Sequence, residues 1–196
     1  MSPIQAMERS EAALRHLLRT GVFAPGTRLE AARLASEFGV SMTPVRDVLH
    51  RLVGERLVEA SSGDGFRVPR LRESELHDLY EWNAALLSMA VRTTPAVILA
   101  MAMNEPLAAG PLAERTRELF DRFAMAVTNG ELRNAILAID DRIHPYRMIE
   151  PNVLDVDDRE LAEIASVDRV QVQAIRRYHV RRMRAAADLV RHRDRH

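Results

Sequence analysis

The sequence predicts a mainly α-helical protein in two parts, and three observations carry that prediction. Between residues 30 and 52, two apolar-periodic runs are separated by the break Gly39-Val40-Ser41. Directly behind them, "RLVEA" and "FRVP" flank "SSGDG", the pattern of a two-stranded hairpin. From about residue 74 onward there is no strand-like alternation, and apolar residues recur with helical period. Residues 1–70 are therefore expected to form three helices plus a two-stranded wing, the winged helix-turn-helix arrangement. Residues 71–196 are expected to form an all-helical bundle.

The elements follow in order. Residues 8–20 place Ala12, Leu14, Leu17 and Leu18 near one helix face, and Pro25-Gly26 breaks the run. A second helix, about Glu30–Phe38, points Ala31, Leu34, Ala35 and Phe38 inward at i, i+3, i+4, i+7. Gly39 suits its C-terminal cap, because glycine tolerates the left-handed backbone there. Ser41 or Thr43 can cap a third helix that carries Pro44 in its first turn. That helix buries Val45, Val48, Leu49 and Leu52 and turns Met42, Thr43, Arg46, Asp47, His50 and Arg51 outward. Beyond residue 74, "ELHDLYEWNAALLSMAV", "LAERTRELFDRFAMAV", "ELRNAILAIDDRIH", "DDRELAEIASV" and "VQVQAIRRYHVRRMRAAADLV" each read as helices. The end "RHRDRH" reads as frayed.

Composition narrows the chemistry. Of 196 residues, 47% are hydrophobic, ample for packed cores. Twenty-eight basic residues, all of them arginine, balance 28 acidic ones, so any basic surface must be local. With no cysteine, disulfides, thiolate metal sites and cysteine nucleophiles are excluded. The start of the chain has no apolar signal core, and the longest apolar stretch, "AVILAMAM" at 96–103, is far short of a membrane span of about 20 residues. The expectation is a cytoplasmic protein with no membrane partner.

A helix-turn-helix with a wing suits the major groove of B-DNA, which admits one α-helix. Arg46, one turn into the third helix, can reach guanine O6 and N7 with both ends of its guanidinium. Ser41 and Thr43 stand where hydroxyls and helix N–H groups meet phosphate. Gly63 and Gly65 thin the wing tip. Any single arginine, such as Arg46 or Arg51, is more ordinarily a solvated helix face. The whole string alters that balance. "GVFAPGTRL", "LASEFGVSMTPVRDVLHRLVGERLV" and "GDGFRV", in this order and spacing over about residues 9–70, resemble the GntR family of bacterial transcription regulators. The resemblance implies double-stranded DNA contacts at Arg33, Ser41, Met42, Thr43, Pro44, Arg46, Arg51 and Gly65. Met42 stands where the family often has an arginine, and Ala32, next to Arg33, where some members carry one. Residues 1–70 hold ten arginines against eight acidic residues, a net of +2. One head alone thus offers modest electrostatic affinity. A homodimer joined through the helical part, on two-fold related half-sites, is the expected remedy.

The helical part resembles the FadR-type (FCD) effector domain. "ESELHDLYEWNAALLSMAV" matches its linker helix, with Asn83 and Leu86 in place of the usual arginine and glutamate. "NGELRNAIL" and "DRVQVQAIRRYH" match later helices. Many such domains hold a divalent metal with one Asp and three His, which anchors a carboxylate effector. Here only His179 corresponds cleanly. Asp157 stands where a His is usual, and Ala124 and Met125 follow Asp121 where histidine is wanted. A divalent metal is therefore possible with an incomplete ligand set, His179 and Asp157 being its candidates. Asp140 and His144 form an i, i+4 pair, although His144 before Pro145 also suits a helix end. A small organic acid could instead be held by arginine alone, through the guanidinium fork. Arg147, His179 and His144 are the expected effector-binding residues. Met89, Met101, Met103, Met125, Phe120 and Phe123 read as ordinary core.

Three functions compete. The first is a ligand-controlled transcriptional regulator, expected to be a repressor. The second is a DNA-binding dimer whose helical part only dimerises. The third is a metal enzyme on the bundle, which lacks the Glu-x-x-His pairs such a site needs.

Overall fold

The computed structural model describes residues 3–61, 65–168 and 171–195. It divides into two compact units, Met1–Leu71 with Arg193–His196, and Arg72–His192.

The first unit runs α1 (Pro3–Arg19), β1 (Arg28–Leu29), α2 (Ala31–Phe38), α3 (Met42–Gly54), β2 (Glu59–Ser61) and β3 (Gly65–Arg67). Gly39 closes α2 at φ 65°, and its N–H returns to the carbonyl oxygens of Ala35 and Ser36. This left-handed residue sets the tight passage into α3. The apolar stripe of α3 is fully buried: Val45, Val48, Leu49 and Leu52 are each at most 1% exposed. They pack with Leu14 and Leu18 of α1, Leu34 of α2, Leu57 and Val58 ahead of β2, and Phe66 of β3 into a core without charge.

Ser41 is the N-cap of α3, but its side chain makes no capping hydrogen bond. The sheet has three strands, where the sequence suggested two. Arg28 and Leu29 pair antiparallel with Arg67 and Phe66, and β3 pairs with β2 on its other edge. Two residues are too few to carry a period, so β1 left no alternation to read. The wing-tip residues 62–64, Gly63 among them, lie outside the described residues.

The second unit holds α4 (Glu73–Thr93), α5 (Ala96–Met103), α6 (Leu112–Ala126), α7 (Gly130–Arg147), a 3-10 turn (Glu150–Asn152), α8 (Asp158–Ala165), α9 (Gln171–Arg184) and the start of α10 (Ala186–Arg195). Asn129 caps α7 by accepting from Leu132 N. α7 continues through Pro145 to Arg147, which puts His144 in its last turn. The single helix expected near residues 171–190 is two helices, parted at Ala185. Helix α10 extends to Arg195, through residues read as frayed.

Phe120 and Phe123 are core, as read, but Met89 (48% exposed), Met101 (70%) and Met125 (65%) are not. α5 is apolar all round, so its sequence names no inner face; Leu99 is buried while Val97 and Ile98 are exposed. No single described helix is long and apolar enough to cross a membrane.

Candidate nucleic-acid interface and a buried polar centre

In the first unit, the N-terminal end of α3, β1 and the wing enclose a groove of about 320 Å³ lined by Arg28, Ala32, Met42, Arg46, Gly65 and Phe66, among others. Burial of Phe66 seats the wing, and the His50 ring packs edge-on against it at 4.9 Å. His50 itself is exposed, as read, with one edge of its ring against the wing strand. Ser41, Met42 and Thr43 are exposed at the helix start, and Pro44 and Arg46 are half-buried behind them. From its N-cap to its fifth residue the helix thus presents two hydroxyls, a thioether and a guanidinium, beside a glycine that begins β3.

Two predicted contacts stand differently. Arg51 donates to Glu11 on α1 at 2.7 Å and does not line the groove. The resemblance implied a DNA contact there; the half-exposed guanidinium is here paired with a carboxylate one helix away. Arg33 lies exposed on α2 and pairs with Glu37, four residues on. Arg28, which the sequence offered only as part of a turn, joins Arg46 at the groove because β1 brings it there.

In the second unit, the buried stripes of α7 and α9 carry charge. Arg147 is 1% exposed and its Nη1 donates to Asp140, which is fully buried. Although burial disfavours its charged form, the Asp140 carboxylate holds the Arg147 pKa above its ordinary value. Burial pushes the Asp140 carboxyl up, against the pull of Arg147. The Arg147 guanidinium lies 4.9 Å from the centre of the Phe120 ring. Its Nε and Nη2 are buried and make no hydrogen bond.

A second pair, Arg182 with Glu150, is closed by two donations, at 3.1 and 2.9 Å, and Tyr80 also donates to Glu150 at 3.0 Å. Arg182 also meets Glu160 at 2.8 Å.

His179 is completely buried and stacks on Phe120. Its Nδ1 lies 2.7 Å from the Ile175 carbonyl oxygen and its Nε2 2.7 Å from the Asn83 amide. A neutral imidazole donates once. Nδ1–H therefore donates to Ile175; Asn83 Oδ1 faces Nε2, and a hydrogen bond there requires the amide to be assigned the other way round, with its N–H toward the ring. Burial pushes the His179 pKa down from 6.5 to about 3.

These contacts bear on the incomplete metal set left open by the sequence. Both ring nitrogens of His179 are engaged. Asp157, at the N-cap of α8, accepts from Arg159 N at 2.9 Å and pairs with the Arg159 side chain. The two do not form a site, and the residues present do not fit the metal that the resemblance implied. Among the described residues, the cluster with ligating geometry is the exposed surface group His77, Asp78 and Glu81.

Arg147 and His179 do share the Phe120 ring, one over it and one stacked on it. His144 is instead held toward Glu114, 3.2 Å from its Nε2. Glu114 and Arg117 line an open cleft of about 800 Å³ beside α5 and α6. Arg117 bonds Asp141 at 2.6 Å and lies 3.6 Å from Asp140, linking that cleft to the Arg147 pair. Sequence reasoning missed Asp140 as the Arg147 partner, along with Glu150, Arg182 and Asn83. The spacing held a signal, since Ile175, Tyr178, His179 and Arg182 fall on one helix face.

Comparison with known proteins places this arrangement. The family model for bacterial regulatory proteins, gntR family, matches residues 7–68. The Nta operon transcriptional regulator of Aminobacter aminovorans is 30% identical over 140 residues, 65% of this chain and 67% of that protein. The HTH-type transcriptional regulator McbR of Escherichia coli is 32% identical over 123 residues, 63% of this chain and about half (51%) of McbR. Among solved structures, that of E. coli McbR/YncC covers 98% of both chains with a TM-score of 0.63 at 18% identity, a likeness of fold.

Proposed function

Since the chain belongs to the gntR family of bacterial regulatory proteins and is a DNA-binding transcriptional regulator, we propose that it works as a homodimer on two-fold related half-sites, under control of a small organic acid. The DNA-reading groups are Arg46, Met42, Ser41 and Thr43 at the start of α3, with the phosphate-facing Arg33 and Arg28 and the wing strand from Gly65. Arg46 supplies the bidentate guanine contact, worth about 1–3 kcal/mol of discrimination. Arg51, half-exposed and paired with Glu11, stands at the margin of the reading set. Association through the helical unit is supported by the exposed apolar side chains Val97, Ile98 and Met101 on α5 and Met125 on α6.

The effector reading rests on one observation, the unsatisfied Nε and Nη2 of buried Arg147. These two N–H groups form one edge of the guanidinium, the edge that grips a carboxylate with two parallel hydrogen bonds. Leaving them buried and unmade costs about 1–3 kcal/mol each, so a ligand that satisfies them recovers that energy on binding. Arg117 and the cleft it lines give the approach. Binding acts on DNA by favouring a dimer geometry in which the two heads no longer match the half-site spacing. The alternative, a helical unit that dimerises and senses nothing, is favoured by the full enclosure of Arg147.

One experiment separates the readings. Calorimetry with a panel of small mono- and dicarboxylic acids, with and without chelator, should find binding that Arg147→Ala abolishes and chelator leaves unchanged. Binding equal in wild type and variant would move the site elsewhere; no binding by any acid would leave the dimerising reading. In parallel, Arg46→Ala should lose affinity for the selected operator while keeping affinity for random DNA. Equal loss on both would make Arg46 a phosphate contact. Sedimentation at micromolar concentration should give about twice 22.2 kDa.

A further inference from the structure

Met42 is the first residue of α3 and is 47% exposed. A lone methionine on a protein surface ordinarily needs no explanation. This one stands at the end of the helix that enters the major groove, in the same groove as Arg46 and the wing glycine Gly65. Its exposed neighbours, Ser41 and Thr43, carry hydroxyls suited to phosphate. Met42 brings no hydrogen-bond donor and only a weak sulfur acceptor. It therefore gains little from phosphate oxygens or from the polar edges of bases, and desolvating those edges against a thioether is unfavourable. The one apolar group that a base pair presents in the major groove is the C5-methyl of thymine.

We propose that Met42 reads the C5-methyl of a thymine lying within about two base pairs of the guanine held by Arg46. Met42 and Arg46 are four residues apart on one helix, an advance of about 6 Å along the axis. That advance matches roughly two base-pair steps of 3.4 Å. The unbranched thioether has three rotatable bonds and a polarizable sulfur, so it can close over a methyl group without moving the helix. Arg46 and Met42 thus divide the reading between a polar and an apolar feature of neighbouring base pairs. The inference rests on the N-terminal unit binding DNA through α3.

The test uses the full chain and a random-sequence duplex pool. The wild type and Met42→Ala are each carried through selection, and each thymine of the wild-type consensus is then replaced singly by deoxyuridine, which removes only the methyl. One thymine per half-site, near the conserved guanine, should become sensitive. Its loss should weaken wild type about fourfold, the equilibrium weight of one buried methyl-sized group, and leave Met42→Ala unchanged. Met42→Arg should be equally blind to the missing methyl. If no deoxyuridine substitution distinguishes wild type from Met42→Ala, the proposal fails while DNA binding stands. If the pool yields no consensus at all, the DNA-reading assignment fails and this inference goes with it.

Discussion

The two units bury their interiors by opposite means. In the N-terminal unit the core is aliphatic with one aromatic ring, and the charged residues meet at its margin, as where Arg15 grips Glu55 at 2.6 and 3.0 Å. In the helical unit, Arg147, Asp140, Arg182, Glu150 and His179 are all within 2% of complete burial. An apolar core is cheap to build and indifferent to ligands. A core with buried ion pairs and unsatisfied polar atoms is costly to assemble. The first unit sets its surface on an uncharged core, and the second encloses a polar arrangement.

The sharpest break of this contrast is Arg182→Ala. It leaves Glu150 charged, enclosed and facing only Tyr80, and should lower unfolding stability in urea by about 3–5 kcal/mol. A loss under about 1 kcal/mol would mean that the pair is open to water. Leu49→Ala, in the uncharged core, should cost about 3 kcal/mol through cavity formation alone. Its loss should not vary between pH 5 and 7, where no charge in that core titrates.

The next effect is acid sensitivity. His179 stays neutral in the folded protein down to about pH 3, whereas the unfolded chain takes up its proton below 6.5. Stability is unaffected above pH 6.5 and falls as pH drops from there toward 3, by up to about 1.4 kcal/mol per pH unit. Between pH 7 and 5 wild type should lose about 2 kcal/mol more than His179→Asn. Parallel curves would show that water reaches the ring. The smallest effect belongs to the reader's surface. Arg33→Ala breaks an exposed i, i+4 pair, so stability should change by less than about 0.5 kcal/mol. Its operator affinity should fall, with the salt slope reduced by about one.

Legibility in the sequence divides along the same line. The stripe Val45, Val48, Leu49, Leu52, the stop at Gly39 and the hairpin strands were all readable, because apolar periodicity and glycine report directly on burial and backbone. Arg46, Met42 and Gly65 could be placed together from that frame alone. What stayed hidden was charge inside a core. Asp140, Arg147 and Arg182 stand in the inward stripes of their helices, yet a pattern reading assigns charge to solvent. α5 failed for the converse reason: with apolar residues on every side, it carried no direction. Arg147 and His179 were reached through resemblance, whereas the Asn83 contact that occupies the second ring nitrogen of His179 left no mark in the pattern.

The N-terminal unit is not one continuous stretch of chain. Arg193, near the other end of the sequence, belongs to it and donates from one nitrogen to the carbonyl oxygens of Gly21 and Phe23, at 3.1 and 2.7 Å. Its neighbour Asp194 pairs with Arg70 at 3.5 Å. A head excised at residue 71, or grafted onto another regulator's helical part at that seam, would leave those carbonyls and the turn around Pro25 without their clasp. Chimeras between such regulators should therefore be cut twice, carrying the last turn of α10 along with the head it fastens.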